Sequence, residues 1–194
     1  MKSDIIIINE SYEKTYFHAI RKKDCNTVDF LLKNKFVLPG VLEKNEEQNG
    51  LHVSASIRGS DKMLQLLFSY GVNINQKEER YERIPLYIAF EHKQIKNAKK
   101  LLELGANPDI KFPYNWTIAQ CIIHNIPNPY NALLLVSNYS KETNENTFKL
   151  YQSVLKRYKN YEGIKELLLD PKKHLLKKKL EPTLTKVHKN SGIL

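Results

Sequence analysis

Cys121 and His124 come nearest, among the residues of this sequence, to the spacing of a metal site. They are three positions apart, so they would lie close together on a helix, where a thiolate and an imidazole could bind one zinc ion. A zinc site needs four ligands, or three and a water molecule, and no second Cys or His pair has a matching spacing. The sequence therefore predicts no metal site.

Motifs of known catalytic chemistry are missing as well. The seven glycines are scattered and form no phosphate-binding G-x-x-x-x-G-K loop. There is no G-x-S-x-G motif, which would mark a nucleophilic serine. The Asp and Glu residues fall mostly in segments that we expect to be solvated loops and helix faces. We therefore expect a protein that is not an enzyme and that uses no cofactor.

Positive charge is concentrated toward the end of the sequence. The net charge is +10, and residues 141–194, with 13 Lys or Arg against 6 Asp or Glu, carry +7 of it. A predicted helix over 171–180 holds a basic patch formed by Lys172, Lys173, Lys177, Lys178 and Lys179. This patch could contact nucleic acid or an anionic membrane. Because the segment lacks aromatic residues for stacking, we favour a solvated capping helix and keep the contact as an alternative.

The cysteine content and the apolar segments bear on the compartment. Cys25 and Cys121 are far apart, which predicts free thiols in a reducing, cytoplasmic compartment rather than a disulfide framework. No apolar run approaches the length of a transmembrane helix. The run Ile5–Ile8 is too short for the core of a signal peptide, and we interpret it as the start of an N-terminal cap.

The helices that must position these side chains belong to a repeated pattern. Four short segments end in an alanine at related positions, and their spacings of 36, 34 and 30 average about 33 residues: Ala19, Ala55, Ala89 and Ala119. The first three are followed by leucine-rich segments over 28–34, 66–75 and 101–107. Self-similarity at this period predicts a repeat architecture, in which each unit buries its apolar face by stacking on its neighbours.

The best-formed copy, 84–107, resembles the ankyrin repeat, whose unit is a β-turn and two antiparallel helices that open with T-P-L-H-x-A. Pro85 takes the first-turn position, where a missing N–H costs nothing. Tyr87 replaces the signature histidine, and His52 occupies or adjoins that position in the preceding copy. In the family this histidine stabilises the turn by hydrogen bonding, so the resemblance implies a structural role for His52.

Residues with a left-handed backbone are expected where the second helix of each pair ends. Gly71 and Gly105 suit this conformation, and Asn34 is the nearest candidate in the first copy. The resemblance implies an all-α fold, an ankyrin-repeat solenoid of about four helix pairs with β-turn fingertips and a helical C-terminal cap.

The domain organisation that follows has four parts. They are an N-terminal cap over 1–13, repeats over 14–140, capping helices over 141–180 and a flexible tail over 181–194. The repeats are expected at 14–49, 50–83, 84–115 and 116–140. Their helices are expected near 14–23, 25–34, 50–58, 61–70, 85–92, 95–104, 116–124 and 130–138. Pro127 and Pro129 should interrupt the fourth pair, because proline is incompatible with a helix interior.

The resemblance also implies where a partner binds, since the family uses exposed residues of the first helices and fingertips. On the first helices these are Arg21, Lys22, Ile57, Arg58, Glu91 and His92, and on the fingertips Arg80, Tyr81, Arg83, Phe112 and Tyr114. Tyr and Arg often dominate binding energy, and the arginines favour an acidic or mixed partner.

The functional expectation is therefore a non-enzymatic protein–protein interaction module, with a monomer favoured. The sequence does not identify the partner. A composition rich in Lys, Asn and Ile fits an AT-rich genome. Short ankyrin proteins of such genomes, in intracellular bacteria and large DNA viruses, often bind host proteins. The resemblance thus suggests the hypothesis of a bacterial or viral effector that acts in the host cytosol.

Overall fold

The computed structural model describes residues 2–44, 47–113, 116–127 and 129–140. Within these ranges it has no β-strand and eight helices: α1 (Lys2–Lys22), α2 (Cys25–Lys33), α3 (Gly50–Ser56), α4 (Asp61–Ser69), α5 (Pro85–Glu91), α6 (Ile95–Glu103), α7 (Ile118–Asn125) and α8 (Tyr130–Ser137). The predicted all-α architecture is confirmed. None of these helices is both long and apolar enough to cross a membrane.

The chain divides into two units, Met1–Pro127 and Asn128–Leu194. In the first unit, α1 packs on α2, α3 on α4 and α5 on α6. The first helices α1, α3, α5 and α7 contact one another in succession, and so do the second helices α2, α4 and α6. The second helices α2, α4 and α6 each carry a buried leucine at the same position: Leu31, Leu67 and Leu101. In the second unit, the structure describes residues 129–140, which contain α8.

The first helix differs from its expected extent. It begins at Lys2 instead of near residue 14, and it runs through the predicted end of the cap at residue 13. No proline or glycine occurs between Lys2 and Lys22, so no residue there interrupts a helix. The predicted capping helices over 141–180 and the tail over 181–194 lie outside the described residues.

In the first three copies, a residue with a left-handed backbone conformation follows each helix of the pair. They are Lys23, Gly59 and Lys93 after the first helices, and Lys35, Gly71 and Gly105 after the second helices. The expected role of Gly71 and Gly105 is confirmed, with φ of 81° and 96°. The candidate Asn34 was wrong by one position, because its φ is −86° and the left-handed residue is Lys35, with φ of 59°.

The helix caps correct the alignment of the copies. The N-caps of α3, α5 and α7 are Asn49, Ile84 and Thr117. Counted from these caps, Ser54 and Ile122 occupy the position of Ala89. Aligning Ala55 and Ala119 with Ala89 was therefore wrong, by one residue and by three. Alanine fits many positions of a helix, whereas a cap occurs only at its start.

Asn97 connects the third helix pair to the second. This α6 residue is 1% exposed, and its Nδ2 donates to the carbonyl oxygens of Ala55 at 3.0 Å and Ile57 at 2.6 Å. Those carbonyls lie at the C-terminal end of α3, where helix carbonyls lack partners within their own helix. The side chain of one repeat thus completes the hydrogen bonding of the repeat before it.

Tyr16 of α1 places a hydroxyl group in the core between the first two pairs. The residue is fully buried, and its hydroxyl has no hydrogen-bond partner among the described residues. A Cβ atom at Gly50 would lie 2.6 Å from that oxygen, so the glycine makes room for the phenol ring. Burial of this unpartnered group raises the pKa of Tyr16 and costs folding free energy.

We predict that Asn97→Ala lowers the free energy of unfolding by about 2–3 kcal/mol, because it leaves buried carbonyls at the end of α3 without a donor. Urea denaturation followed by circular dichroism measures the change. Asn26→Ala, which removes an exposed amide from α2, is the matched control. A loss no larger than that of the control would contradict the role given to Asn97.

We predict that Tyr16→Phe raises the free energy of unfolding by about 1–2 kcal/mol, since it removes an unpartnered buried hydroxyl and keeps the ring. Tyr70→Phe is the comparison, because the hydroxyl of Tyr70 donates to Asp29 Oδ1 at 2.7 Å and its removal should give no gain. Thermal unfolding of both variants measures the difference. Destabilisation by Tyr16→Phe would show that its hydroxyl has a partner in solution.

Candidate protein-binding surface

Arg83 organises the loop between α4 and α5, residues 76–83, which we call the second fingertip. Its Nε donates to Glu78 Oε1, and its Nη1 donates to Glu91 Oε2 at 2.8 Å. Glu78 is only 2% exposed, so its charge depends on this arginine. The backbone N–H of Glu78 also donates to the carbonyl oxygen of Arg83 at 3.0 Å. Arg83 therefore holds the loop closed and has little freedom to contact a partner.

His52 of α3 holds the second fingertip in place by a hydrogen bond to its backbone. Its Nε2 donates to the carbonyl oxygen of Arg83 at 3.1 Å, and its Nδ1 accepts the backbone N–H of Asn49 at 3.3 Å. Desolvation in this fully buried position lowers the pKa of His52 to about 4, so the ring is neutral at pH 7. In α7 the same position holds Gln120, whose Oε1 accepts the backbone N–H of Thr117 at 2.7 Å.

Tyr81 projects from the second fingertip and is 52% exposed. The guanidinium carbons of Arg80 and Arg83 lie 5.1 Å and 4.7 Å from the centroid of its ring, within the range of cation–π attraction. Arg83 is fixed by its two carboxylates, whereas Arg80 forms no ion pair within the described part of the chain. The fingertip thus presents an aromatic ring beside an available positive charge.

An open cleft of about 690 Å³ lies next to Tyr81, and we call it the Tyr81 cleft. The rings of Tyr87 and Phe112 meet edge to face in it, with centroids 4.8 Å apart. Trp116 also lines it and packs edge-on against His124 at 5.9 Å. Aromatic side chains therefore form much of the cleft, while charged groups line it as well: Arg80, Arg83 and Glu91.

The structure corrects the expectation for Phe112. We expected an exposed fingertip side chain, but Phe112 is 6% exposed and packs against Tyr87. Its backbone N–H donates to the carbonyl oxygen of Trp116 at 2.8 Å, and this bridge turns the ring inward. The neighbouring candidate Tyr114 lies outside the described residues.

The remaining candidates form no single cluster. His92 lines a smaller cleft with Arg80 and Tyr81, so it adjoins the second fingertip. Arg21 donates to both carboxylate oxygens of Glu43, at 2.5 and 2.7 Å, and lines a separate cleft. Of three further candidates, Lys22 is exposed at the end of α1 and Ile57 is the half-buried C-cap of α3. Arg58 was expected on this first helix, but α3 ends at Ser56 and Arg58 is exposed in the turn that follows. The basic patch over 172–179 lies outside the described residues.

Sequence reasoning missed Tyr87, Pro113 and Trp116, which complete the cleft. Tyr87 had been interpreted only as a replacement for the signature histidine. A usable signal existed for Trp116, because it is the single tryptophan of the chain and precedes the Thr117 cap. The spacing of the residues in the sequence did not indicate that residue 116 lies near α5. In the folded chain the contact between α5 and α7 places them together.

The Cys121 and His124 pair does not form a metal site in this structure. Cys121 is fully buried, and desolvation raises the pKa of its thiol to about 11, whereas His124 is exposed. Among the described residues, no group of three or more His, Cys, Asp or Glu is arranged to hold a metal ion. The buried thiol is therefore protonated at neutral pH, and it donates to the carbonyl oxygen of Tyr87 at 3.9 Å.

Comparison with known proteins gives one family match. A sequence model of ankyrin repeats, in three copies, matches residues 16–112. The match begins in α1, covers the helix pairs α3–α4 and α5–α6, and ends at Phe112 in the cleft. No curated protein matches this sequence.

We predict that His52 makes stability depend on pH between about 7 and 4. The folded protein has a His52 pKa of about 4, against about 6.5 when unfolded, so the unfolded chain binds the extra proton first. Stability from the neutral ring is present above pH 6.5 and is lost as the pH falls toward 4, by about 3 kcal/mol. Urea unfolding at a series of pH values measures this loss.

His52→Gln should flatten this part of the pH profile, because Gln120 shows that glutamine can accept the same backbone hydrogen bond. His92→Gln, which removes an exposed histidine, should leave the profile as it is in the unsubstituted protein. Equal profiles for the two variants would contradict the assignment of a neutral, buried His52.

Proposed function

Because the chain belongs to the ankyrin-repeat family, as its sequence pattern predicted, we propose that it binds a protein partner through the second fingertip and the Tyr81 cleft. Ankyrin repeats are generally protein–protein interaction modules and typically have no enzymatic activity. The observation that carries the proposal is Tyr81, a large aromatic side chain that is 52% exposed on a tightly held loop.

The fingertip loses little conformational freedom on binding. Glu78, Glu91 and His52 fix Arg83, and Arg83 lies over the Tyr81 ring. An aromatic anchor that is already ordered in the free protein avoids part of the entropic cost of association. Tyrosine and arginine are also the residue types most often found at binding hot spots. Tyr81 and Arg80 are therefore the expected centre of the interface.

The other candidates take secondary places in this proposal. Glu91 and His92 lie beside the centre and would extend the contact. Lys22, Ile57 and Arg58, at or just beyond the ends of α1 and α3, would belong to its periphery. Arg21, engaged by Glu43, and Arg83 would support the surface. The role of a bacterial or viral effector acting on host proteins stays a hypothesis about the partner's origin.

Site-specific photo-crosslinking tests the proposal. We expect a chain with p-benzoylphenylalanine in place of Tyr81 to crosslink a distinct protein from a lysate of its native cellular environment. The same probe in place of Phe68, which is 36% exposed on the second helix α4, is the matched control and should not capture that protein.

The double variant Arg80→Ala/Tyr81→Ala should weaken binding of the captured protein at least about tenfold in a titration. Both side chains are exposed, so the fold should be retained, and circular dichroism checks this. Arg83→Ala is unsuitable because it would leave the charge of Glu78 buried and unpaired. Equal capture from positions 68 and 81, or unchanged affinity in the double variant, would refute binding at the fingertip.

A further inference from the structure

Arginine is rare in this chain, and its positions are selective. Of the 31 basic residues in the sequence, five are arginines. Among the described residues, none lies on a second helix; they are Arg21, Arg58, Arg80 and Arg83. A guanidinium presents parallel N–H donors that match a carboxylate, which an ammonium group does not. Two of these arginines, Arg80 and Arg83, line the Tyr81 cleft, so this part of the surface is suited to recognising carboxylates.

Arg80 is the arginine at the cleft that is available for such a contact. Arg83 already donates to Glu78 and Glu91. Arg80 is exposed, and within the described part of the chain its guanidinium lies near the Tyr81 ring. Arg83 is shared between Glu78 and Glu91, so these three groups together carry one negative charge. Arg80 brings the sum to zero, but its guanidinium has no carboxylate partner among the described residues. A carboxylate of a partner would thus find, at the edge of the cleft, a guanidinium whose N–H groups are available for pairing.

The cleft beside Arg80 suits an apolar group. Tyr87, Phe112 and Trp116 line it, and they offer aromatic edges rather than further charge. Its volume of about 690 Å³ is within the usual range for a binding pocket and exceeds what one side chain fills. A ligand that fits both features needs a carboxylate and an apolar group within a few ångströms of each other.

We propose that the Tyr81 cleft binds an acidic, hydrophobic peptide segment of the partner. A carboxylate of the segment pairs with Arg80, and a neighbouring aromatic or aliphatic side chain enters the cleft lined by Tyr87, Phe112 and Trp116. This inference rests on the proposed function, since it names the chemistry of the partner at the same surface.

A protein segment fits the cleft better than a single-stranded nucleic acid does. Nucleic acids bind such surfaces by stacking bases on aromatic faces and by placing successive phosphates on several cations. The ring of Tyr81 already has two guanidinium groups over it, and Phe112 is 6% exposed. A base would have to displace an arginine to stack. Among the described residues that line the cleft, Arg80 is the one cation without a carboxylate partner, whereas successive phosphates need several.

Trp116 provides a direct measurement, because it is the single tryptophan of the chain and lines the cleft. The probe is the tryptophan-free peptide acetyl-Gly-Ser-Glu-Phe-Glu-Leu-Glu-Ser-Gly-amide, titrated against the full chain. We expect a saturable change in tryptophan emission. Arg80→Gln should raise the dissociation constant about tenfold or more, because it removes a charge-assisted hydrogen bond. Lys96→Gln, which removes an exposed charge from α6, should have no such effect.

A second peptide, with Gln in place of each Glu, completes the comparison. It should bind the unsubstituted protein about tenfold more weakly than the acidic peptide, and the two peptides should differ much less on Arg80→Gln. Equal binding of the two peptides to the unsubstituted protein would overturn the acidic assignment and leave a peptide-binding cleft, as in the proposed function. No saturable change up to about 1 mM acidic peptide would overturn the inference.

Oligothymidine of similar length tests the other class of partner. Tighter binding of the oligonucleotide than of the acidic peptide, with dependence on Arg80, would overturn the peptide assignment in favour of nucleic acid. Crosslinking from position 81 decides the proposed function separately. A captured protein whose binding depends on Arg80 and Tyr81, together with failure of the acidic peptide, would reject only the chemistry inferred for the partner.

Discussion

The structure depends on the burial of helix α3, whose first N–H groups are capped by Asn49 and whose last carbonyl groups accept from Asn97 of the next repeat. Residues 50–55 are all buried, so neither end of the helix can rely on water. Near its start, Asn49 Oδ1 accepts the backbone N–H groups of Leu51 and His52, and at its end Asn97 of α6 donates to Ala55 and Ile57. Adjacent repeats are thereby coupled through directional hydrogen bonds as well as apolar contact, which fixes their register.

Helix α3 also holds the second fingertip in place. The carbonyl group that accepts from His52 belongs to Arg83, whose side chain pairs with buried Glu78 and with Glu91 of α5. The core therefore determines the position of a surface loop. Tyr81 and Arg80 can remain exposed at the tip of that loop without being loosely held, which is the condition that favours an anchor for a partner.

The fold was largely predictable from sequence because repeated units carry the same signals several times. Seven of the eight predicted helices begin within two residues of the observed starts. The exception is α1, where residues 2–22 lack a helix breaker and the spacing of the repeats gave no reason to extend the helix upstream. Alanine positions aligned the copies less accurately than the caps Asn49, Ile84 and Thr117 did, since caps mark a change of backbone conformation.

For the candidate site, the sequence allowed some of its residues to be chosen but did not show which residues lie together. Tyr81 and Arg80 could be chosen from residue type and loop position, and both are exposed. Phe112 could not be assigned from those criteria, because an isolated bridge to Trp116 turns it inward. Tyr87 and Trp116 are 29 positions apart in the sequence, and only the contact of α5 with α7 places them in one cleft.

The sequence alone determined that this chain is an array of helix pairs, because local periodicity and caps are properties of short segments. Only the tertiary structure decided which arginine is available, since the pairing of Arg83 with Glu78 and Glu91 depends on how a loop folds over the next helix. The same holds for the neutral state of His52, which results from burial between repeats. Ionisation and pairing depend on distance and solvent exposure, and neither can be obtained from the order of the residues.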